Sequence, residues 1–223
     1  MIVIDEVVRT RRRTLAIIIQ EDGRLVVRAP LRARDADIHE FVRTKERWIR
    51  TKQEQARNRA ARFVPKRYAE GEQFFYLGDL YPLQLEEHQS RPLVFNSGFH
   101  LSTASTSRAA AHFERWYRRQ ALRVMTERAE HYAASHGFEF HKIKITGARK
   151  QWGACGPGDN LRFAWRLVMA PLPIIDYVVV HELAHLHHHN HSKTFWRKVK
   201  SILPDFRERE AWLDEYGHLL RLA

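Results

Sequence analysis

Short runs of β-branched and aromatic residues occupy two parts of the chain and predict strands there. In residues 1–30, the runs at 15–19 and 25–27 flank the turn sequence Glu21-Asp22-Gly23, which predicts a β-hairpin. Three further apolar runs between residues 70 and 100 predict a small antiparallel meander. These runs are 74–77, 81–85 and 93–95.

Hydrophobic residues at helical spacing predict the helices. Asp35 or Asp37 would cap the first helix, which runs to about Arg62, and Gly137 would end the second. Pro173 would lie near the start of the third, which runs into His181. The predicted helices cover residues 35–62, 108–136, 173–181, 193–202 and 205–220.

Two further strands, at 143–145 and 161–167, are predicted on either side of the turn sequence 156–160 and would pair as a hairpin. The order of the elements predicts an α+β fold. Residues 1–104 would form an N-terminal β-rich region with one long helix, and residues 105–223 a C-terminal domain. The Ser/Thr-rich segment 102–107 is the predicted boundary.

Composition narrows the class of protein. The single cysteine, Cys155, excludes a fold held by intrachain disulfides and favours a reducing compartment. No apolar run approaches the roughly 18 residues of a membrane span. The first residues lack the basic and apolar regions of a signal peptide. We therefore expect a cytoplasmic protein with no membrane partner.

An excess of basic residues points to an anionic partner. Lys and Arg number 38 against 26 Asp and Glu, which gives a formal net charge of +12. The excess is concentrated in Arg9 with Arg11–Arg13, in the first predicted helix and in residues 115–128. Nucleic acid is therefore a candidate partner of the N-terminal region. No recognition motif that interleaves aromatic and basic residues accompanies the charge.

The strongest chemical signal is His181-Glu182-Leu183-Ala184-His185, at the end of an apolar helical run. Histidines at positions i and i+4 share one face of a helix and can ligate one Zn²⁺ ion per chain. Glu182 lies beside them and can take a proton from water at the open coordination position. The motif predicts a zinc hydrolase of the metallopeptidase type.

A third ligand is needed to hold such an ion. His191 is the first choice, because it follows His185 at the ligand spacing of the metzincin motif. His188 stands where that motif has glycine, so the chain is expected to turn later, at Asn190, which tolerates a left-handed conformation. The alternatives at this point are His188, His189, Glu208, Glu210 and Asp214.

Several motifs together resemble the YgjP-like metallopeptidases, which are relatives of the SprT-like and WLM proteases. The resemblance covers nearly the whole chain and is most specific near its end. Two family positions differ, with Ala154 where members usually carry Ser and Ala164 where they usually carry Asn. The motifs are Val26–Pro30, Gly78–Tyr81, Gln151–Cys155, Trp165–Pro171, Ile175–His185, Asn190–Ser192, Phe195-Trp196 and Pro204–Phe206.

The resemblance implies a zincin-like C-terminal domain with an active-site helix, an antiparallel hairpin and C-terminal helices. It implies that His181, His185 and His191 ligate zinc and that Glu182 is the catalytic residue. An edge strand above the helix would pair with an extended peptide or protein substrate. The candidate substrate-binding residues are Arg149, Lys150, Gln151 and Trp152, of which Trp152 has a core position as its alternative.

Two other activities are compatible with the same resemblance. Reports of nucleoside triphosphate diphosphohydrolase activity in the family make a nucleotide such as UTP an alternative substrate, for which Arg149, Lys150 and Arg162 would suit the phosphates. The SprT-like and WLM relatives cleave proteins attached to DNA, which would give the basic N-terminal region a function.

Overall fold

The computed structural model describes residues 2–222, which divide after Val64 into two compact units. The N-terminal unit contains three strands and two helices. The strands form one sheet in the order β1-β3-β2, with β1 parallel and β2 antiparallel to β3. The elements are β1 (Glu6–Thr10), β2 (Ala16–Ile19), β3 (Leu25–Pro30), α1 (Asp35–Thr44) and α2 (Glu46–Arg62).

The predicted N-terminal hairpin is confirmed as β2 and β3, joined through Gly23 at a φ of 86°. The prediction of one helix over residues 35–62 was wrong, because Lys45 has a φ of −108° and a ψ of 10° and interrupts it. The interruption allows Ile49 of α2 to join Ile38 and Val42 of α1 in the same small core. The strand β1 was not predicted.

The C-terminal unit contains two sheets and the longest helix. The first sheet comprises β4 (Gln73–Tyr76), β5 (Asp79–Glu86), β6 (Leu93–Phe95) and β7 (Phe99–Ser102), and the second comprises β8 (Lys142–Thr146), β9 (Gly153–Gly156) and β10 (Asn160–Ala164). The helices are α3 (Ala109–His136), α4 (Leu172–Ala184), α5 (Lys193–Ile202) and α6 (Phe206–Tyr216). Short 3₁₀ helices cover Thr103–Arg108, Trp165–Met169 and Gly217–Leu219.

Both sheets differ from their predicted pairing. The first has the order β4-β5-β7-β6, and β5 runs parallel to β7, so the segment is not a pure antiparallel meander. In the second, β8 runs parallel to β10, and the antiparallel hairpin is formed by β9 and β10. The order β8-β10-β9 leaves β9 at one edge. The strand predicted over 161–167 ends at Ala164, where the second 3₁₀ helix begins.

The predicted domain boundary near residue 104 differs from the division after Val64. The reason is an aromatic core that β4–β7 share with α3. Phe74 stacks on Phe113 with ring centroids 4.3 Å apart, and Phe99 lies 4.9 Å from Trp116. Since all four rings are at least 95% buried, the first sheet belongs with the helices that follow it.

The mixture of strands and helices confirms the predicted α+β class. Among residues 2–222, no helix is both long and apolar enough to cross a membrane.

Candidate metal centre

Helix α4 presents the first two histidines of the motif from a rigid base. Pro171 is its N-cap and Pro173 lies in its first turn, where a missing backbone N–H leaves no hydrogen bond unmade. All residues from Ile174 to Val180 are buried, so the helix is enclosed by its neighbours on every side.

An ion pair fixes α4 against α3. The Arg128 guanidinium donates to both carboxylate oxygens of Asp176, at 2.6 and 3.0 Å. The side chains are only 18% and 10% exposed, and this bidentate geometry holds both partners in one orientation. Helix α4 is thereby anchored one and a half turns before His181.

Three histidines converge at the end of α4. His181 and His185 come from the helix and its C-cap, and His191 comes from the segment that leads into α5. One ring nitrogen of each lies within 4.8 Å of the other two, and the Nε2 atoms of His181 and His191 are 3.0 Å apart. Two ligands of a tetrahedral ion with metal–nitrogen bonds of about 2.0–2.1 Å would lie about 3.3 Å apart.

The chain reaches His191 by turning earlier than predicted. Helical hydrogen bonding ends at Ala184, whose carbonyl accepts from the N–H groups of His187 and His188. Asn190 does not have a positive φ, so the expected left-handed turn at this residue is wrong. Ser192 then caps α5 by accepting from the N–H of Phe195.

Hydrogen bonding and packing orient the three rings. The Nδ1 atom of His185 lies 2.9 Å from the carbonyl oxygen of His188, which acts as the acceptor and leaves Nε2 available to coordinate an ion. The fully buried Phe195 ring lies 4.9 Å from the ring of His181, 4.6 Å from that of His185 and 4.8 Å from that of His191. Phe195 is therefore a support for the cluster as well as a core residue.

The protonation state of His181 and His185 suits a metal ion. Burial, with the neighbouring histidines, lowers the pKa of His181 to about 3, and burial also lowers the pKa of His185. Neutral imidazole is the form that coordinates metals. Among the described residues, no other set of His, Cys, Asp or Glu side chains offers three such ligand atoms. The alternatives His188, His189, Glu208, Glu210 and Asp214 lie outside the cluster.

Glu182 is buried beside the cluster, beneath strand β9. It is 5% exposed, and its carboxylate accepts a hydrogen bond from the backbone N–H of Cys155. Burial raises the pKa of this carboxyl to about 7. Gly153 provides the space, because a Cβ atom there would lie 2.5 Å from Oε1 and 2.6 Å from Cγ of Glu182. In the sequence, Gly153 stands out only as part of the motif 151–155, so its contact with Glu182 was not predicted.

The four candidate substrate-binding residues lie just before β9. Arg149, Lys150 and Gln151 are exposed. Trp152 is partly buried, and the atoms of its indole come within 2.9 Å of where a Cβ on Gly217 would be. The Trp152 carbonyl accepts from the N–H of Ala164. Trp152 therefore has packing contacts, and the substrate-binding roles of all four residues stay predictions.

Comparisons with known proteins agree with this geometry. The sequence model of the family described as YgjP-like, metallopeptidase domain, matches residues 13–216. No curated protein matches the chain. Among solved structures, the metallopeptidase zymogen abylysin of Pyrococcus abyssi matches at 21% identity and a TM-score of 0.39, over 44% of this chain and 96% of that one. A similarity this low carries no weight here, whereas the family match spans most of the sequence. The chain belongs to the YgjP-like metallopeptidase family.

Proposed function

We propose that this chain is a zinc-dependent peptidase in which His181, His185 and His191 hold one ion and Glu182 is the general base. The observation that carries the proposal is the convergence of three histidine rings beside a buried carboxylate at the end of α4. Three nitrogen ligands with a position left for water are typical of catalytic zinc sites. The bound metal would supply Lewis-acid activation of water and of the scissile carbonyl.

Glu182 is suited to move the proton. Its carboxylate is held by one backbone hydrogen bond from Cys155 and is shielded from bulk water by β9. We infer that it accepts a proton from the attacking water and delivers it to the leaving amine nitrogen. A carboxylate of this kind can do both, because burial brings its pKa close to the pH at which the enzyme would operate.

Strand β9 is suited to hold the substrate. It lies at the edge of its sheet and runs over the carboxylate of Glu182. An extended peptide that pairs with this edge would gain main-chain hydrogen bonds and bring its scissile bond to the metal cluster. We therefore propose peptides or unfolded protein segments as the substrates.

The test compares wild type with Glu182→Gln, which keeps the shape of the side chain and removes the base. Zinc content is measured by elemental analysis, and hydrolysis is followed on casein and on short fluorogenic peptides, with and without chelator. We expect both proteins to hold one zinc per chain and only wild type to hydrolyse peptides, with losses on the order of 10²–10⁴ in the variant. Equal peptide hydrolysis by both proteins would refute the role of Glu182.

The same samples decide between peptide and nucleotide substrates. UTP is assayed beside casein, because Arg149, Lys150 and Arg162 were the residues predicted to suit a triphosphate. Hydrolysis of UTP without hydrolysis of casein, lost in Glu182→Gln, would favour the diphosphohydrolase alternative.

The cytoplasmic location expected from the sequence also stays a prediction.

Nucleic-acid binding by the N-terminal unit also stays a prediction. Part of its basic charge is already paired, since Arg9 contacts Asp35 at 2.6 Å and Arg50 contacts Glu46 at 2.7 Å. A contact with phosphate would have to compete with these carboxylates. A measured affinity for DNA that falls steeply with salt would support a DNA-associated protease.

A further inference from the structure

We propose that a basic cavity beside His191 is a subsite for acidic side chains of the peptide substrate. The inference rests on the proposed peptidase function and adds to it a preference for Asp and Glu close to the scissile bond. The evidence for this preference is a set of four cationic side chains that line the cavity next to His191.

The cavity lies in the C-terminal unit and has a volume of about 940 Å³. His191 is part of its wall, and the Trp196 ring next to it lies 5.6 Å from the His191 ring. Trp196 in turn stacks on Phe206 of α6 at 5.3 Å. Because the cavity begins at a proposed metal ligand, a side chain bound in it belongs to a residue near the cleaved bond.

The volume admits more than one side chain. Binding pockets for small molecules measure about 300–1,000 Å³, so this cavity is at the upper end of the range. The stacked Trp196 and Phe206 rings give it an apolar surface that would contact the carbon atoms of a bound peptide.

The charge of the lining is strongly positive. Lys193, Arg197 and Lys200 of α5 are spaced by four and three residues and share one face of that helix, and Arg207 comes from α6. Within residues 2–222, none of these four side chains has an acidic partner at ion-pair distance. Their charges are therefore available to a ligand.

Glu210 is the acidic residue of the lining, and it is already engaged. The Tyr177 hydroxyl donates a hydrogen bond to it, and burial together with this carboxylate raises the pKa of Tyr177. Four cations against one hydrogen-bonded carboxylate leave a net positive cavity. Such a cavity attracts Asp and Glu side chains and repels Lys and Arg, so it discriminates in both directions.

The experiment uses the zinc-loaded full-length enzyme and a peptide library whose cleavage sites are read by mass spectrometry. Peptides that differ only by Glu, Gln or Lys near the cleaved bond are then compared by kcat/KM. We expect Glu to be preferred over Lys by about tenfold or more, as for one or two partly exposed charge pairs. Arg197→Glu should abolish or invert this preference, whereas Lys142→Glu, the same charge change on exposed β8, should leave it unchanged.

A binding measurement makes the test independent of turnover. In the Glu182→Gln background, the anisotropy of a fluorescein-labelled Glu-containing peptide reports binding, with UTP as a competitor. We expect Arg197→Glu to weaken binding of the Glu peptide about tenfold and to leave the Gln peptide unaffected. If Arg197→Glu does not fold, Lys200→Glu on the same face replaces it.

The outcomes separate the two proposals. Peptide cleavage with no charge preference, and with no effect of Arg197→Glu, would overturn the acidic subsite and leave the peptidase standing. No cleavage by wild type together with Arg197-dependent binding of the Glu peptide would overturn the peptidase activity and keep the subsite. Binding and hydrolysis of UTP that depend on Arg197, with no peptide binding, would overturn the subsite in favour of a nucleotide.

Discussion

Gly153→Ala adds one methyl group directly against the proposed general base. The new Cβ would lie 2.5, 2.6 and 2.8 Å from Oε1, Cγ and Cδ of Glu182. Relaxed contacts between such atoms are about 3.5–4.0 Å, so the carboxylate or strand β9 has to move by about 1 Å. Gly153 does not have a positive φ, so alanine adds no backbone strain there. The substitution therefore tests only the contact between the new methyl group and Glu182.

The size of the effect follows from this displacement. Overpacking of this kind reduces stability by about 1–3 kcal/mol. A shift of about 1 Å in a reacting group lowers the rate by about 10²-fold, which corresponds to about 2.7 kcal/mol of activation free energy. The substitution does not touch the histidine rings, so zinc content should stay at the wild-type level.

The assay measures kcat and KM on one fluorogenic peptide, with zinc content and melting temperature for the same samples. We expect kcat to fall about 10²-fold while zinc is retained. Gly147→Ala is the matched control, because its Cβ would meet only Nη2 of Arg118, the end of a flexible side chain, at 3.1 Å. A folded Gly153→Ala protein with unchanged kcat would refute the view that Gly153 positions the catalytic carboxylate.

Three further perturbations test the supports of the fold. Phe195→Ala removes the ring that contacts all three histidines and should lower the free energy of unfolding by about 3–5 kcal/mol. It should also weaken zinc affinity in a chelator competition, whereas Phe195→Leu should lose less stability and less affinity. Asp176→Ala leaves the Arg128 charge buried without its bidentate partner and should reduce stability in urea by about 3 kcal/mol. Replacing Asp176 by Leu and Arg128 by Met should recover most of this loss, because no buried charge is then left unpaired, and no recovery would contradict this reasoning. Gly23→Ala combines a φ of 86° with a Cβ 2.9 Å from Cγ of Arg57 and should destabilise the N-terminal unit by about 1–2 kcal/mol in hydrogen exchange, an expectation that unchanged protection would refute.

Local sequence signals predicted the cluster of three histidines, because its geometry is largely local. His181 and His185 are one helical turn apart, and His191 follows within six residues, so spacing alone brings them to one region. The precise route was not predictable, since the turn after Ala184 depends on hydrogen bonds that the N–H groups of His187 and His188 donate to the Ala184 carbonyl, rather than on a residue with a left-handed preference.

Features that depend on distant residues were not predicted. Gly153 and Glu182 are 29 positions apart, and nothing in either segment alone indicates that β9 crosses above the carboxylate. The division after Val64 was not predicted for the same reason, because Phe74 and Phe99 are apolar in either assignment and only their packing on α3 places the first sheet with the C-terminal unit. Strand pairing of β8 with β10 likewise depends on a long-range register.

Strand β9 also limits the shape in which a substrate can arrive. It is four residues long, has glycine at both ends and is paired with another strand on one side only. An edge strand this short does not favour association between copies of the chain. A segment that pairs with it must already be straight over about 13 Å, and fixing four flexible residues costs about 4–8 kcal/mol of conformational entropy. With the proposed pairing, substrates held in helices or in folded sheets would be excluded until they unfold, and rigid extended peptidomimetics should bind far more tightly than flexible peptides of the same sequence.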